Sequence, residues 1–177
     1  MTGGYNLVMG EHSDRDKHGA HRKLVARLRS QSGDVTRLTA GLDEEALSRR
    51  TIPGKWSIKE LVAHLWRVEI VFERRVESML AEENPAIERY DPEGDPDFAK
   101  LASRDGADLR DGFQAARERF ARRLEAVAPA DWHRRGRHPE FPLYDVHFQI
   151  EYMAHHEAHH VYQIYQRRAG MGRIPHG

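Results

Sequence analysis

Apolar residues return every three or four positions along four stretches of the chain, and proline or glycine interrupts the pattern between them. Leu24, Val25, Leu28, Val35 and Leu38 keep that spacing between about Asp16 and Thr39, which predicts a first long helix. Leu42 to Leu47 suggests a short turn, and Pro53-Gly54 then breaks the chain. Ser57 followed by Glu60 reads as a capping box, in which each side chain serves the other residue's backbone N–H. A second helix follows from there to about Glu82, with Leu61, Leu65, Val68, Phe72 and Met79 as its buried stripe. Asn84 to Asp97 holds three prolines and one glycine and reads as a loop. A third helix spans about Ala107 to Val127, and Pro129 to Trp132 forms another short turn. Arg134 to Pro142 is a basic loop, and a fourth helix runs from near Leu143 to Ala169, with Gly170 at its C-cap. Val146, Phe148 and Ile150 alternate, but the residues after them return to helical spacing.

The pattern predicts an all-α fold, a four-helix up-and-down bundle with a longer connection between the second and third helices. Short connections favour near-antiparallel neighbours in such bundles. Residues 1–15 are glycine-rich and polar and are expected to form a flexible N-terminal tail. Residues 16–177 are expected to form a single bundle domain.

Composition narrows the function. The 28 Lys+Arg balance 28 Asp+Glu, and basic residues cluster only briefly, as at Arg134-Arg135 and Arg167-Arg168. No nucleic-acid partner is expected, because polyanion binders carry a basic excess. The chain has no cysteine, which removes thiolate ligands and a cysteine nucleophile, so any thiol must come from outside. No stretch approaches the roughly 18 apolar residues of a membrane span. The N-terminus lacks a basic region followed by an apolar run, so a cytoplasmic protein is expected.

The chain has 12 histidines. The fourth helix reads His155-His156-Glu157-Ala158-His159-His160, and residues four apart share a face. His156 and His160 fall inside or beside the stripe of Val146, Ile150, Met153 and Ile164, whereas His155 and His159 fall mostly off it. Two inward imidazoles one turn apart can chelate one divalent metal ion. His64 sits at the edge of the second helix's buried stripe and is the third candidate, although a single core-edge histidine is often only a packing residue. His147, Glu151, His155 and His159 form a second stripe that reads better as a solvated or dimer-facing surface than as another metal site. His156, Glu157 and His160 also form a formal H-E-x-x-H, which in zinc peptidases supplies two ligands and a general base. The positions three and six beyond His160 are Gln163 and Gln166, so the usual downstream histidine ligand is missing and a peptidase is disfavoured.

Three blocks, in this order, carry a family resemblance. They are Trp56-Ser57-Ile58-Lys59-Glu60-Leu61-Val62-Ala63-His64-Leu65 with Glu69 and Arg75, then Arg135-Gly136-Arg137-His138-Pro139-Glu140-Phe141, then His156-Glu157-Ala158-His159-His160 with Gln163-Ile164. Over about residues 20 to 170 the chain resembles the DinB-like (YfiT-like) superfamily of metal-dependent enzymes. The resemblance implies a four-helix bundle with zinc or nickel on His64, His156 and His160. It also implies a small-molecule substrate and, because many members are dimers, a homodimer. Members with assigned activity are thiol-dependent transferases or isomerases that use a low-molecular-weight thiol such as bacillithiol, mycothiol or glutathione. Tyr162 departs from the small residue usual before the motif glutamine, and by its face it points away from the core.

The first functional reading is therefore a divalent-metal-dependent transferase using such a thiol. Arg75, or Arg135 or His138, would bind an anionic group, although an ion pair with a bundle carboxylate is the plainer role for Arg75. A second reading is a metal-dependent hydrolase in which Glu157 or a loop histidine, His138, moves protons. A third is a non-catalytic metal-binding stress-response module.

Overall fold

The structure is a computed structural model that describes residues 5–176, with side chains from residue 19 onward. Its elements are α1 (Tyr5–Thr39), α2 (Glu44–Ser48), α3 (Ile58–Ala81), α4 (Pro96–Ala102), α5 (Gly106–Glu125), a 3-10 turn (Pro129–His133) and α6 (Val146–Ala169). No strand forms among the described residues, where β-type pairing is limited to two isolated bridges, Ala86 with Arg137 and Arg135 with Asp145. The fold is the expected all-α four-helix bundle, built from α1, α3, α5 and α6.

Side-chain caps set several of the boundaries. Ser57 and Glu60 form the predicted capping box at the start of α3. Asp145 accepts from the Phe148 backbone N–H at 2.8 Å and starts α6 three residues later than the apolar pattern suggests. Two segments differ from the sequence expectation. Helix α1 begins at Tyr5 and takes in residues 5–15, which the composition assigns to the tail. The one glycine in its first turns, Gly10, weakens a helix by about 1 kcal/mol relative to alanine and does not end it. Residues 1–4, the rest of that expected tail, lie outside the described residues. Within the expected loop, Asp95 caps a seven-residue helix whose first residue is Pro96. Seven residues are too few for a helical period to stand out against three nearby prolines.

Helices α1 and α3 each pack against both α5 and α6, and so occupy opposite corners of the bundle. Not all consecutive long helices are neighbours, then, although α3 and α5 are. The spans 40–57 and 126–145 carry α2 and the 3-10 turn and are long enough to cross the bundle end.

The apolar core divides into two clusters. One gathers Leu28, Phe72, Val76, Phe120 and Ile150. The other gathers Val35, Leu38, Ile58, Leu61 and Phe113. Buried polar residues separate them: Gln31 and Ser32 on α1, Arg117 on α5, and Glu157 and His160 on α6. A buried polar group must find partners or lose stability, so this mid-bundle layer is where chemistry is to be sought.

Candidate functional site

Three imidazoles converge at one edge of the polar layer. Helix α3 supplies His64, and α6 supplies His156 and His160 one turn apart. The His156 Nε2 lies 3.3 Å from the His64 Nε2 and 3.1 Å from the His160 Nε2. All three ligand atoms fall within 4.8 Å of one another. Two nitrogens bound at about 2.0–2.1 Å to one tetrahedral ion lie about 3.3–3.4 Å apart, so the spacing suits a shared ion.

Hydrogen bonding alone does not satisfy this cluster. His160 Nδ1 lies 2.9 Å from Gln163 Oε1, while the Gln163 amide nitrogen lies 2.8 Å from His159 Nε2. The amide oxygen can only accept, so His160 carries its proton on Nδ1 and turns a bare Nε2 lone pair toward the cluster. His156 Nε2 has at most one proton and cannot serve both neighbours. A cation shared by three lone pairs would match every contact. His64 Nδ1 is buried and has no hydrogen-bond partner among the described residues.

The rings are neutral and ready to ligate. Burial, reinforced by the neighbouring rings, pushes His64 down to about 3. Burial likewise holds His156 and His160 at about 4 each. His155 and His159 point to solvent, as the face assignment predicts, and Tyr162 is 59% exposed.

Backbone anchoring fixes the cluster's surroundings. Arg167, one helical turn past Gln163, donates to the Trp56 carbonyl at 2.5 Å and to the Gln163 carbonyl at 2.8 Å. The Trp56 ring is thereby held 4.9 Å from the His64 ring. The neighbouring Arg168 reaches the carbonyls of Met171 and Arg173. The short basic cluster at Arg167-Arg168 is thus engaged with backbone.

The triad opens into a cavity of about 360 Å³. Its aromatic walls include Trp56, Phe72, Phe141 and Tyr152, and Arg75 and His138 also line it. Two loops form the rim, and each is tied down. Arg67 on α3 pairs with Asp95 at 2.5 Å and holds the 82–95 segment against the bundle. The Ile87 N–H donates to the Arg137 carbonyl at 2.8 Å, and the Arg137 N–H returns to the Pro85 carbonyl at 2.8 Å, joining that segment to the loop before α6. Gly136 permits this approach, since a Cβ there would stand 2.7 Å from Ile87 Cγ1 and 3.2 Å from Met79 Cγ. Arg134 donates to the Met79 carbonyl at 2.6 Å and the Glu82 carbonyl at 2.8 Å, closing the C-terminus of α3.

The sequence-predicted residues therefore divide. His64, His156 and His160 come together. Arg75 and His138 line the same cavity, whereas Arg135 lies outside its lining. Among the described residues Arg75 has no carboxylate partner. Its guanidinium instead reaches the Glu88 carbonyl and the Tyr144 hydroxyl and lies over the Phe72 ring. Burial, aided by the Arg75 charge, lowers the His138 pKa.

Glu157 is turned away from the cavity and joins Arg117 and Glu69 in a buried ion cluster, with 2.6 Å contacts from Arg117 Nη2 to each carboxylate. Burial pushes the Glu157 carboxyl up to about 7, an effect that Arg117 only partly offsets. The two carboxylates hold Arg117 charged despite its burial. Glu157 is thus not placed as a general base at the histidines, because on a helix it points about 100° away from His156. Sequence reasoning missed Arg117. Its position among Leu109, Phe113, Phe120 and Leu124 at helical spacing is the signal that places it on a buried face.

The chain is similar to known proteins across most of its length. Residues 27–164 match the DinB superfamily. A protein of Geobacillus kaustophilus, named as an inferred metal-dependent hydrolase, is 27% identical over 164 residues, covering 87% of each chain. The uncharacterized YuaE of Bacillus subtilis is 24% identical over 136 residues, 70% of this chain and 84% of YuaE. In fold, the chain matches YfiT from Bacillus subtilis, described as a probable metal-dependent hydrolase with an unusual four-helix bundle topology. The TM-score is 0.76 at 20% identity, covering 86% of this chain and 87% of YfiT.

Proposed function

Because the chain belongs to the DinB superfamily, we propose that it is a metal-dependent enzyme acting on a small molecule, with one zinc or nickel ion held by His64, His156 and His160. The convergence of three neutral Nε2 atoms at the floor of an open cavity carries this reading. Three protein ligands leave coordination positions free, as catalytic sites do and closed structural sites do not. When bound, the ion supplies Lewis acidity that makes a coordinated thiol or water nucleophilic near neutral pH.

The chain's own residues orient and exclude. Gln163 fixes the His160 tautomer. Trp56 and Phe72, beside His64 and His156, exclude water from the cavity floor. With Glu157 committed to Arg117, His138 is the imidazole on the cavity wall available to move a proton. Its Nδ1 accepts from the Glu140 backbone N–H at 3.1 Å, which leaves Nε2–H as its donor.

Transfer to a low-molecular-weight thiol of the bacillithiol, mycothiol or glutathione type is the first reaction we assign. A chain with no cysteine must take its thiol from outside, and a thiol needs little help to ionise, since its ordinary pKa is about 8.5. Hydrolysis is the second, favoured by the names of the Geobacillus kaustophilus relative and of YfiT. Cobalt(II)-substituted protein decides between them. Transfer predicts a saturable near-ultraviolet sulfur-ligation band on adding the thiol, lost in His64→Ala, together with enzyme-dependent thiol consumption in the presence of an electrophile. An unchanged spectrum with turnover of an ester or amide would assign hydrolysis. An unchanged spectrum without turnover of either kind would leave a non-catalytic metal-binding module.

A further inference from the structure

Arg75 is a cation with an incomplete set of partners. It is half-buried in the cavity wall, yet among the described residues no carboxylate pairs with it. The arginines around it are differently placed. Arg67 is paired with Asp95, and on the rim Arg89 faces Glu140 at 3.6 Å. Arg117 has two carboxylates. A guanidinium has five N–H donors, and Arg75 directs one nitrogen to the Glu88 carbonyl and another, at 3.4 Å, to the Tyr144 hydroxyl. Both partners are neutral, so the charge itself is unmatched.

The Tyr144 hydroxyl is held in place for this role. It donates to the buried Gln149 Oε1 and so turns its oxygen toward Arg75 as an acceptor. Burial pushes the Tyr144 pKa up to about 12, so the phenol stays neutral and does not neutralise the arginine. Below, the Phe72 ring supports the guanidinium at 5.2 Å from its centroid. Arg75 is thus fixed by neutral groups on several sides while its charge lines the cavity.

Apolar surface lies between this cation and the histidine cluster. Phe72 stands 6.3 Å from His156, and Tyr152 stacks on His156 at 6.2 Å with planes 15° apart. Phe141 stands 5.7 Å from Tyr152. Flat walls of this kind favour a flat apolar body through burial and ring contacts.

We propose that the cavity takes a small molecule with a planar apolar body and one terminal anionic group, a carboxylate or a phosphate monoester, with the anion on Arg75 and the other end at the histidine cluster. The placement of the reacting end rests on the metal-site reading above, whereas the anion site does not. Carboxylate and phosphate share the planar two-point match to guanidinium. Charge-assisted bonds of this type favour the anion over a neutral analogue about ten-fold or more.

Calorimetric titration of the full-length protein tests this with phenylacetate, phenyl phosphate and the neutral phenylacetamide, each against metal-free and zinc-loaded protein. At least one anion should bind about ten-fold or more tighter than the amide in metal-free protein. Arg75→Gln should abolish that preference with zinc content unchanged, and whichever anion keeps the larger preference in the unsubstituted protein identifies the group. Arg75→Lys should retain part of the preference. Binding of neither anion more tightly than the amide in metal-free protein would overturn the proposal. So would an anion preference that survives Arg75→Gln, or one seen only with zinc and lost in His156→Ala, because the anion would then sit on the metal. Failure of the metal-site reading would appear separately, as absence of zinc from protein that still discriminates the anions.

Discussion

Arg117 on α5 donates to Glu157 on α6 at 2.6 Å, and the same guanidinium reaches Glu69 on α3 at 2.6 Å. One side chain thus joins the two helices that carry the histidines to a third. Glu157 directly follows His156, and Glu69 lies five residues beyond His64, so the ion cluster bears on the relative placement of both histidine-bearing segments. Arg117 also donates to the Leu28 carbonyl at 2.6 Å, which brings in α1.

Arg117→Ala should therefore be strongly destabilising. It strands two buried carboxylates, a change that costs about 3–5 kcal/mol when one partner of a buried pair is removed. Glu157→Gln is the more informative variant. A general base would forfeit about 10²–10⁴ in rate on losing its carboxylate. A glutamate that only braces the bundle should instead show lowered thermal stability with a nearly unchanged pH-rate profile. Thermal melts beside kinetics on the same preparation separate the two roles, and a rate loss of that size with an unaltered melt would restore Glu157 as the base.

Metal content should follow the faces of α6. Protein purified without a histidine tag should hold about one equivalent of zinc or nickel per chain, three protein ligands being enough for a catalytic ion. His64→Ala, His156→Ala and His160→Ala should each remove it, while His155→Ala, whose ring is exposed, should not. Elemental analysis checks this. Metal lost from His155→Ala and kept by His156→Ala would reverse the face assignment.

Much of this was legible in the sequence because it rests on periodicity. The Ser57–Glu60 capping box, the buried stripes of α3 and α6 and the inward pair His156 and His160 follow from spacing alone. What was not legible depended on partners distant in sequence. Glu157 in an H-E-x-x-H pattern reads as a base until Arg117, 40 residues earlier, is seen to hold it. The diagonal placement of α1 and α3 depends on how the connecting spans cross the bundle end, which hydrophobic spacing does not encode. Helix α4 was hidden by its length, and the rim depends on a close approach at Gly136 that only the folded chain reveals.

That approach supplies a third expectation. Gly136→Val would set side-chain atoms against Ile87 and Met79, where even a Cβ stands 2.7 Å from Ile87 Cγ1. Overpacking of this kind costs about 1–3 kcal/mol. Because the contact joins the two rim loops, binding of cavity ligands should weaken while zinc content is unchanged. Zinc loss with intact ligand binding would contradict the assignment of Gly136 to the rim.

Acid should remove the metal later than free histidine would suggest. Burial holds the three rings at about 3, 4 and 4, against about 6.5 in the unfolded chain. Their pKa values are depressed on folding, so below about 6.5 the unfolded chain takes up protons that the folded chain does not. Stability from these groups is present above about 6.5 and is lost as pH falls toward about 4. Zinc should stay bound at pH 6 and leave together with the loss of helical structure. Gel filtration at stepped pH, with zinc analysis and circular dichroism on each fraction, follows both. Release near pH 6.5 from an intact bundle would mean that the rings are more hydrated than their packing indicates.

Gln163 offers the sharpest separation of metal chemistry from fold. It lies on the partly exposed side of α6, and its amide oxygen meets His160 Nδ1 at 2.9 Å while its amide nitrogen meets the exposed His159. Replacing it with leucine removes the acceptor for the His160 proton and little buried contact. The free imidazole can then carry its proton on either nitrogen, and the form protonated on Nε2 cannot ligate. Loss of such an outer partner typically weakens metal binding about 10–100-fold. Gln163→Leu should show that loss in competition with a zinc chelator, with a melting temperature in the metal-free state close to that of the unsubstituted protein. Gln163→Glu keeps an acceptor at the same place and should retain affinity. The paired outcome distinguishes an oriented ligand from a packing contact: if leucine and glutamate weaken zinc equally, the hydrogen bond to His160 does not govern the site, and the tautomer argument for a shared cation fails with it.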